Sequence, residues 1–383
     1  MLEVRLQSRD HYARGLEHGQ ALKKEIREMK ALYDRFLREL PDVLDVSPFQ
    51  KWYLKTALGQ RTLGKKLFNL TKKFAIPSVY TEEIRGIAEG ADVSVEFITV
   101  LNLFDDIFSI LVRNAGPVGA KCSGAAVKTP YGWLVGCNSD YGIFLSELGK
   151  LTTLFYHPDC VVLGYPGFIG ALMGMNHHGV VIQQLVVPVN NGRFEGIPAS
   201  LLFRLTLENA RSAEEAVNMF LSCPKVVGNN ALIAASHQEA AVLEISPTAS
   251  YRTRDNSGNP EEWATVTNHF TNPNMRLFYR ISVPSKFSFA IQEENFYTKK
   301  FSEIRLARLR ELLKTFHPET AEDLQKVMAD EVLTGRLNGH CSTVACLIFN
   351  PSRLEFWFAD NKGRVPAAEG ALQHRRIFLS SVL

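Results

Sequence analysis

The chain changes character at Cys122. Up to about Leu111 its apolar residues recur at helical spacing, and from Cys122 onward they fall in short runs typical of strands. The run Cys122 to Tyr141 contains a strand-like Gly124–Lys128, a Thr129-Pro130-Tyr131-Gly132 turn and a second apolar segment, Trp133–Cys137. Two such segments joined by a Pro/Gly turn predict an antiparallel hairpin, which would return Asn138 and Asp140 to the level of Cys122. A nucleophile, an amide and a carboxylate would then share one sheet edge.

Before that point, Ile26, Met29, Tyr33, Phe36 and Leu40 mark one face of a helix, and Ser94 caps another running from Val95 to about Leu111. Thr81-Glu82-Glu83 predicts the start of a helix that Gly90 ends. After the hairpin, further strands are expected at Leu151–Phe155, Val161–Gly164, Val180–Pro188, Ala231–Ala235, Ala241–Ile245, Tyr251–Thr253 and Ala264–Thr267. Helices are expected at Leu201–Ala210, Ala213–Ser222, Ser302–Leu313 and Ala321–Asp330. A final strand pair, Ser342–Phe349 and Leu354–Ala359, turns at Asn350-Pro-Ser-Arg. Helices grouped between runs of antiparallel strands predict an α+β layered fold rather than a doubly wound sheet. At 383 residues the chain can bury a large core in one domain with an added helical segment.

Charge is uneven. Residues 1–75 hold 16 Lys/Arg and 9 Asp/Glu, whereas the whole chain carries only +3. Lys51, Lys55, Arg61, Lys65, Lys66, Lys72 and Lys73 interleave with Trp52, Leu58, Leu63, Leu67 and Phe68 between Pro48 and Phe74. This basic front is read as amphipathic helices packed on the main domain, with contact to acyl chains or a membrane surface as the alternative. No nucleic-acid partner is expected. Gly59-Gln-Arg-Thr-Leu-Gly64-Lys65-Lys66 resembles a phosphate loop, but Lys66 stands where the magnesium-binding Ser or Thr would be, so it is read as helix surface.

The six cysteines at 122, 137, 160, 223, 341 and 346 have no short paired spacing, which predicts reduced thiols. His177-His178 and His340-Cys341 are adjacent pairs that alternate faces on a strand, so no metal is expected. No cofactor is implied. The charged start lacks the apolar middle of a secretory signal, so a cytoplasmic location is expected unless a leader was removed.

A thiol needs a partner to take its proton. None of His18, His177, His178, His269 and His340 sits in a cysteine-protease signature. If the bond between Lys121 and Cys122 is cut, however, the α-amine freed on Cys122 has a reference pKa of about 8 and serves as the base. Base and nucleophile are then one residue.

At this point the chain resembles the penicillin acyltransferase group (peptidase C45 type) of N-terminal-nucleophile hydrolases, and more distantly choloylglycine hydrolases and acid ceramidases. The resemblance rests on Tyr12-Ala-Arg-Gly15-Leu-Glu-His-Gly19, on Glu83 to Phe97 with Asn102-Leu-Phe-Asp-Asp, and on Cys122 followed by Asn138-Ser-Asp140. It continues through Gly174-Met-Asn176-His-His-Gly179-Val, Gly196-Ile-Pro198 with Arg204 and Leu207-Glu208, and Thr267-Asn268-His269. It implies a four-layer αββα sandwich with an N-terminal helical segment, a light chain of residues 1–121, a heavy chain of residues 122–383, and their continued association after cleavage. It further implies Cys122 as nucleophile, Asp140 as partner of the new ammonium, Asn268 as oxyanion donor, and Asn138 and Asn176 as substrate-binding or oxyanion residues. The substrate class would be small N-acyl compounds, cleaved or transferred through a thioester. Two positions depart from the family pattern: Cys137 replaces the Arg of the bile-salt and ceramide branches, and Lys121 replaces Gly before the nucleophile. The alternatives are an uncleaved Cys/His hydrolase and a non-catalytic lipid-binding protein.

Overall fold

The structure is a computed structural model that describes residues 1–43, 47–111, 122–142, 148–236, 240–253, 262–279, 299–334, 341–362 and 364–377. The segment before Cys122 holds β1 (Leu2–Arg5), α1 (His11–Ala21), α2 (Lys23–Val43), α3 (Pro48–Lys55), α4 (Ala57–Thr71), α5 (Ser78–Ala91) and α6 (Val95–Leu111). Next come β2 (Ser123–Thr129), β3 (Gly132–Gly142), α7 (Leu148–Leu151), β4 (Thr153–Tyr156), β5 (Cys160–Gly164), β6 (Met173–Asn176) and β7 (Val180–Val186). Helices α8 (Ala199–Asn209) and α9 (Ala213–Ser222) precede β8 (Asn229–Ala235), β9 (Ala241–Ile245), β10 (Ser250–Thr253) and β11 (Trp263–Val266). The remainder is α10 (Pro273–Arg276), α11 (Lys299–Phe316), α12 (Ala321–Met328), β12 (Cys341–Asn350), β13 (Glu355–Asp360) and β14 (Ala371–Arg376).

Two sheets stack face to face. One has eight strands in the order β1-β4-β5-β6-β7-β8-β9-β10, and the other six in the order β11-β2-β3-β12-β13-β14. The apolar layer between them joins Ala126, Val135 and Cys137 of the smaller sheet to Leu163, Met175, Val181 and Leu232 of the larger. A second layer packs α2, α4, α5 and α6, with α8 and α9, onto the outer face of the larger sheet. A third packs Leu309, Leu313, Leu324 and Val327 of α11 and α12 under Leu134 and Ile348 of the smaller sheet. The αββα order of layers is therefore the one expected.

The first 111 residues are not purely helical. Leu2–Arg5 pairs in parallel with β4 at the edge of the larger sheet, an element too short and too charged to stand out as a strand. Helix α5 begins at Ser78, a turn earlier than the Thr81 cap suggests, and ends at Asp92 in the left-handed conformation (φ 57°) rather than at Gly90. The helical stretch after Pro48 is also split, because Thr56 stops α3 and accepts from Gly59 N–H to cap α4. The loop-like segment Gly59–Lys66 lies inside α4, as expected.

Helices α1 and α5 pack through paired glycines. A Cβ on Gly15 would sit 2.1 Å from the Glu83 carbonyl oxygen, and one on Gly86 2.1 Å from that of Tyr12. The Gly15-x3-Gly19 spacing thus lets two helix backbones touch, and it brings Arg14 against Glu83.

Candidate active site

The hairpin forms as expected, with β2 and β3 in antiparallel register from Thr129↔Gly132 to Ser123↔Asn138. Side chains alternate across a strand, so register decides which face each presents. Cys122 and Cys137 fall in the layer between the sheets, whereas Leu134 faces the α11–α12 layer. Asn138, of the same parity as Leu134, sends its Nδ2 to the carbonyl of Met328 at the end of α12, 2.7 Å away. Asp140 follows on that face, its Oδ1 accepting from Thr343 Oγ1 at 2.6 Å. The hairpin does return Asn138 and Asp140 to the level of Cys122, but Cys122 occupies the inner face and their side chains the outer.

What the fold does bring to Cys122 is Asn268 and a residue not foreseen, Arg305. The Cys122 N–H donates to Asn268 Oδ1 at 2.6 Å. Arg305, on α11 and 1% exposed, donates to the Cys122 carbonyl (2.6 Å), to Ser123 Oγ (3.0 Å) and to Asn268 Oδ1 (2.8 Å). A guanidinium only donates, so the amide atom facing it must be the oxygen. Asn268 Nδ2 is thereby turned to the Val186 carbonyl at 2.8 Å, and an NH2 group bonded once keeps a second hydrogen to give. Asn230 steadies this corner by donating to the carbonyls on either side of Asn268, those of Thr267 (2.8 Å) and His269 (2.9 Å).

Gln183 on β7 bridges the sheets. Its Nε2 donates to the carbonyls of Ser123 and Asn138, both at 3.1 Å, and a Cβ at Gly124 would meet its Oε1 at 2.1 Å. Gly124 is the opening through which that bridge passes.

Asn176 is placed elsewhere. Its Nδ2 donates to the carbonyls of Leu207 and Ala210, and its Oδ1 accepts from His178 N–H and Val180 N–H. It ties the β6–β7 turn to the end of α8 and does not line the cavity that contains Cys122.

That cavity, about 160 Å³, is predominantly apolar. Cys122, Ser139 and Val186 form one wall, Leu101, Phe104, Asp105 and Asp106 of α6 another, and Met29, Leu32 and Tyr33 of α2 a third. Leu101 and Phe104 of this helix are half-buried and face this space. Asp106 accepts from Ala199 N–H at the start of α8, and burial pushes its carboxyl up to about 7. Residues preceding Cys122 therefore build much of the space before it.

No described histidine lines the cavity. His18 is buried and its Nε2 accepts from Gly167 N–H, while His269 bonds Ser302 Oγ at 2.8 Å. His177 and His178 lie against each other in the β6–β7 turn, with ring centroids 3.8 Å apart and tilted by 45°. Cys122, Cys137, Cys160, Cys223 and Cys346 are free thiols, and burial pushes Cys160 and Cys346 up to about 12. Lys121 and His340 lie outside the described residues. Among the described residues no His/Cys/Asp/Glu group is arranged to hold a metal ion.

Comparison with known proteins sets this geometry in context. The acyl-coenzyme A:6-aminopenicillanic-acid-acyltransferase 40 kDa form of Emericella nidulans is 29% identical over 238 residues, 62% of this chain and 56% of that protein. Protein dcd1A of Dictyostelium discoideum is 29% identical over 237 residues, 56% of this chain and 51% of that protein. The match thus spans about half the length of these curated relatives. Among solved structures, an N-acylethanolamine-hydrolyzing acid amidase ortholog of Caenorhabditis elegans aligns over 60% of this chain and 93% of its own, at 15% identity and TM-score 0.42. A conjugated bile acid hydrolase of Clostridium perfringens aligns over 67% and 97%, at 12% identity and TM-score 0.43. The sequence profile of the acyl-coenzyme A:6-aminopenicillanic acid acyl-transferase family matches residues 127–363, well over half of the chain, and the protein belongs to that family.

Proposed function

We propose that the protein is a self-processing amidase or acyltransferase that uses Cys122, freed as an N-terminal residue, to cleave or transfer the acyl group of small N-acyl compounds. The observation that carries this reading is a thiol in the wall of an apolar cavity whose own backbone N–H and carbonyl are held by Asn268 and Arg305.

In the precursor, the Cys122 sulfur attacks the Lys121 carbonyl carbon, the acyl bond moves from nitrogen to sulfur, and water hydrolyses the thioester. The products are a Lys121 carboxylate and a Cys122 amine. In the mature protein that amine takes the thiol proton as the sulfur attacks the substrate carbonyl, and then gives it to the departing amine. The second Asn268 Nδ2 hydrogen is the side-chain donor available to the oxyanion, a contribution commonly worth roughly 10²–10³ in rate. Water resolving the thioester gives a hydrolase, and an incoming amine gives a transferase. Continuing the hairpin register by one step faces Ser139 to Cys122; Asp140, one residue on, is turned to Thr343 on the other face, so Asn268 Oδ1 is the acceptor that holds the ammonium. The light chain of residues 1–121 stays associated, because α2 and α6 wall the cavity.

Cys/His chemistry without cleavage is disfavoured by the lack of any described histidine at the cavity. Thioester trapping with a thiol-directed acyl probe tests the proposal: wild type is labelled on Cys122 and the Cys122→Ala variant is not. Labelling on another cysteine would refute it.

A further inference from the structure

Helix α3 has eight residues, among them Phe49, Trp52, Tyr53 and Leu54, yet it contributes no buried side chain. Phe49 and Trp52 are 71% and 63% exposed, one helical turn apart, with ring centroids 5.7 Å from each other. Leu58, at the start of α4, is 64% exposed. Large apolar side chains held out in water at the tip of a helical pair mark a surface that something covers.

Beside this tip runs a groove of about 1010 Å³ between α2 and α4. Six cations and two carboxylates line it, and one of those carboxylates, Asp34, is taken by Lys30 at 2.6 Å. Arg38, Lys55, Arg61, Lys65 and Lys72 are exposed along it, while Leu37 and Phe68 lie at its floor. Tyr33 lines both this groove and the cavity of Cys122, so the basic surface adjoins the apolar space.

We propose that α3 and α4 seat the protein on an anionic lipid surface, Phe49, Trp52 and Leu58 entering the headgroup boundary and the basic groove meeting lipid phosphates. Cations alone would suit any polyanion, and aromatic residues with cations would suit a nucleic acid. Continuity with an apolar cavity favours an amphiphile with a hydrocarbon part. Among the described residues no helix is long and apolar enough to cross a membrane; the contact proposed is a peripheral one. The docking surface stands without the catalytic reading. Only its use, delivering acyl chains toward Cys122, rests on that proposal.

Vesicle sedimentation tests this, comparing phosphatidylcholine alone with phosphatidylcholine containing phosphatidylglycerol. Binding should be roughly tenfold or more tighter to the anionic vesicles and should weaken with added salt, because each cation near such a surface contributes about fivefold. Phe49→Ser with Trp52→Ser should lose roughly tenfold at fixed salt, and Arg61→Glu with Lys65→Glu should lose the preference for anionic lipid. All four side chains are exposed or bury nothing, so unchanged thermal melting certifies the variants as folded. Cys122→Ala should bind vesicles like wild type, which separates failure of docking from failure of the catalytic reading. Three results would overturn the proposal: equal or absent binding to both vesicle types, retention of short single-stranded DNA without vesicle binding, or a dimer in solution that Phe49→Ser with Trp52→Ser dissolves.

Discussion

Arg204 and Arg305 are both buried to within 1% exposure, and they are held in opposite ways. Arg204 donates from Nε to Glu208 at 2.7 Å and lies 3.5 Å from Glu83, while Tyr80 donates to Glu208 and Arg14 to Glu83. Burial alone would raise the Glu83 carboxyl, yet Arg204, His11 and Arg14 together hold it far below the usual carboxylate range. This cluster ties α1 and α5 to α8, and so fastens residues before Cys122 to residues after it. Arg305 instead directs donors to neutral oxygens, those of Cys122, Ser123 and Asn268. Arg204, paired with two glutamates, holds elements together, whereas Arg305 brings a positive charge to the oxygens of Cys122, Ser123 and Asn268.

Breaking each arginine should therefore give different outcomes. Arg204→Met leaves Glu83 with Arg14 and His11, and Glu208 with Tyr80 and Arg14, and loss of one partner from a buried charge cluster costs up to about 3–5 kcal/mol. Chemical denaturation should show that loss, while the pH profile of whatever folded protein remains stays as in wild type. At the other site, Asn268→Ala should lower kcat by roughly 10²–10³ or more with little change in KM, since it removes an oxyanion donor together with the oxygen that holds Cys122 N–H and Arg305. Steady-state kinetics on a small N-acyl substrate check this.

Acid separates the two regions further. Burial holds His18 down to about 4, so between the ordinary value near 6.5 and about 4 the unfolded chain binds more protons than the folded one. Stability contributed by the neutral His18 is thus present above about 6.5 and lost as pH falls to about 4, a loss of about 3 kcal/mol. Glu83 acts in the same direction at lower pH, because its lowered carboxyl stabilises above the usual carboxylate value and loses that contribution on protonation. Melting temperature against pH should fall across this window. Arg305→Gln should lower melting at every pH without altering this acid dependence, and shift the acid limb of kcat/KM upward by about one pH unit, as expected when a nearby cation is removed. An unchanged pH profile in Arg305→Gln would erase the distinction between the two arginines.

Much of this was legible in the chain. The Thr129–Gly132 turn is there, with Gly132 at φ 107°, and α9 and α6 keep the boundaries that their caps and periodicity indicate. Alternation along β3 already contains the opposition of Asn138 and Asp140 to Cys122, once Ser123 is paired with Asn138. Strands β1, β6 and β14 were not legible, because Leu2–Arg5, Met173–Asn176 and Ala371–Arg376 are short and carry charged, glycine or methionine residues at strand positions. Arg305 was hidden for another reason. In the same helix Arg308 and Arg310 look identical in sequence, and only the layer beneath decides which of the three is buried. Glu83 likewise reads as a solvated first-turn acid until α1 and α8 close over it.

The most direct test of the central claim is the intact mass and N-terminal sequence of purified wild type beside Cys122→Ala. The account predicts that wild type yields two associated fragments, the larger beginning at Cys122, while the variant stays whole. Wild type that remains a single 383-residue chain and still hydrolyses an amide would contradict it.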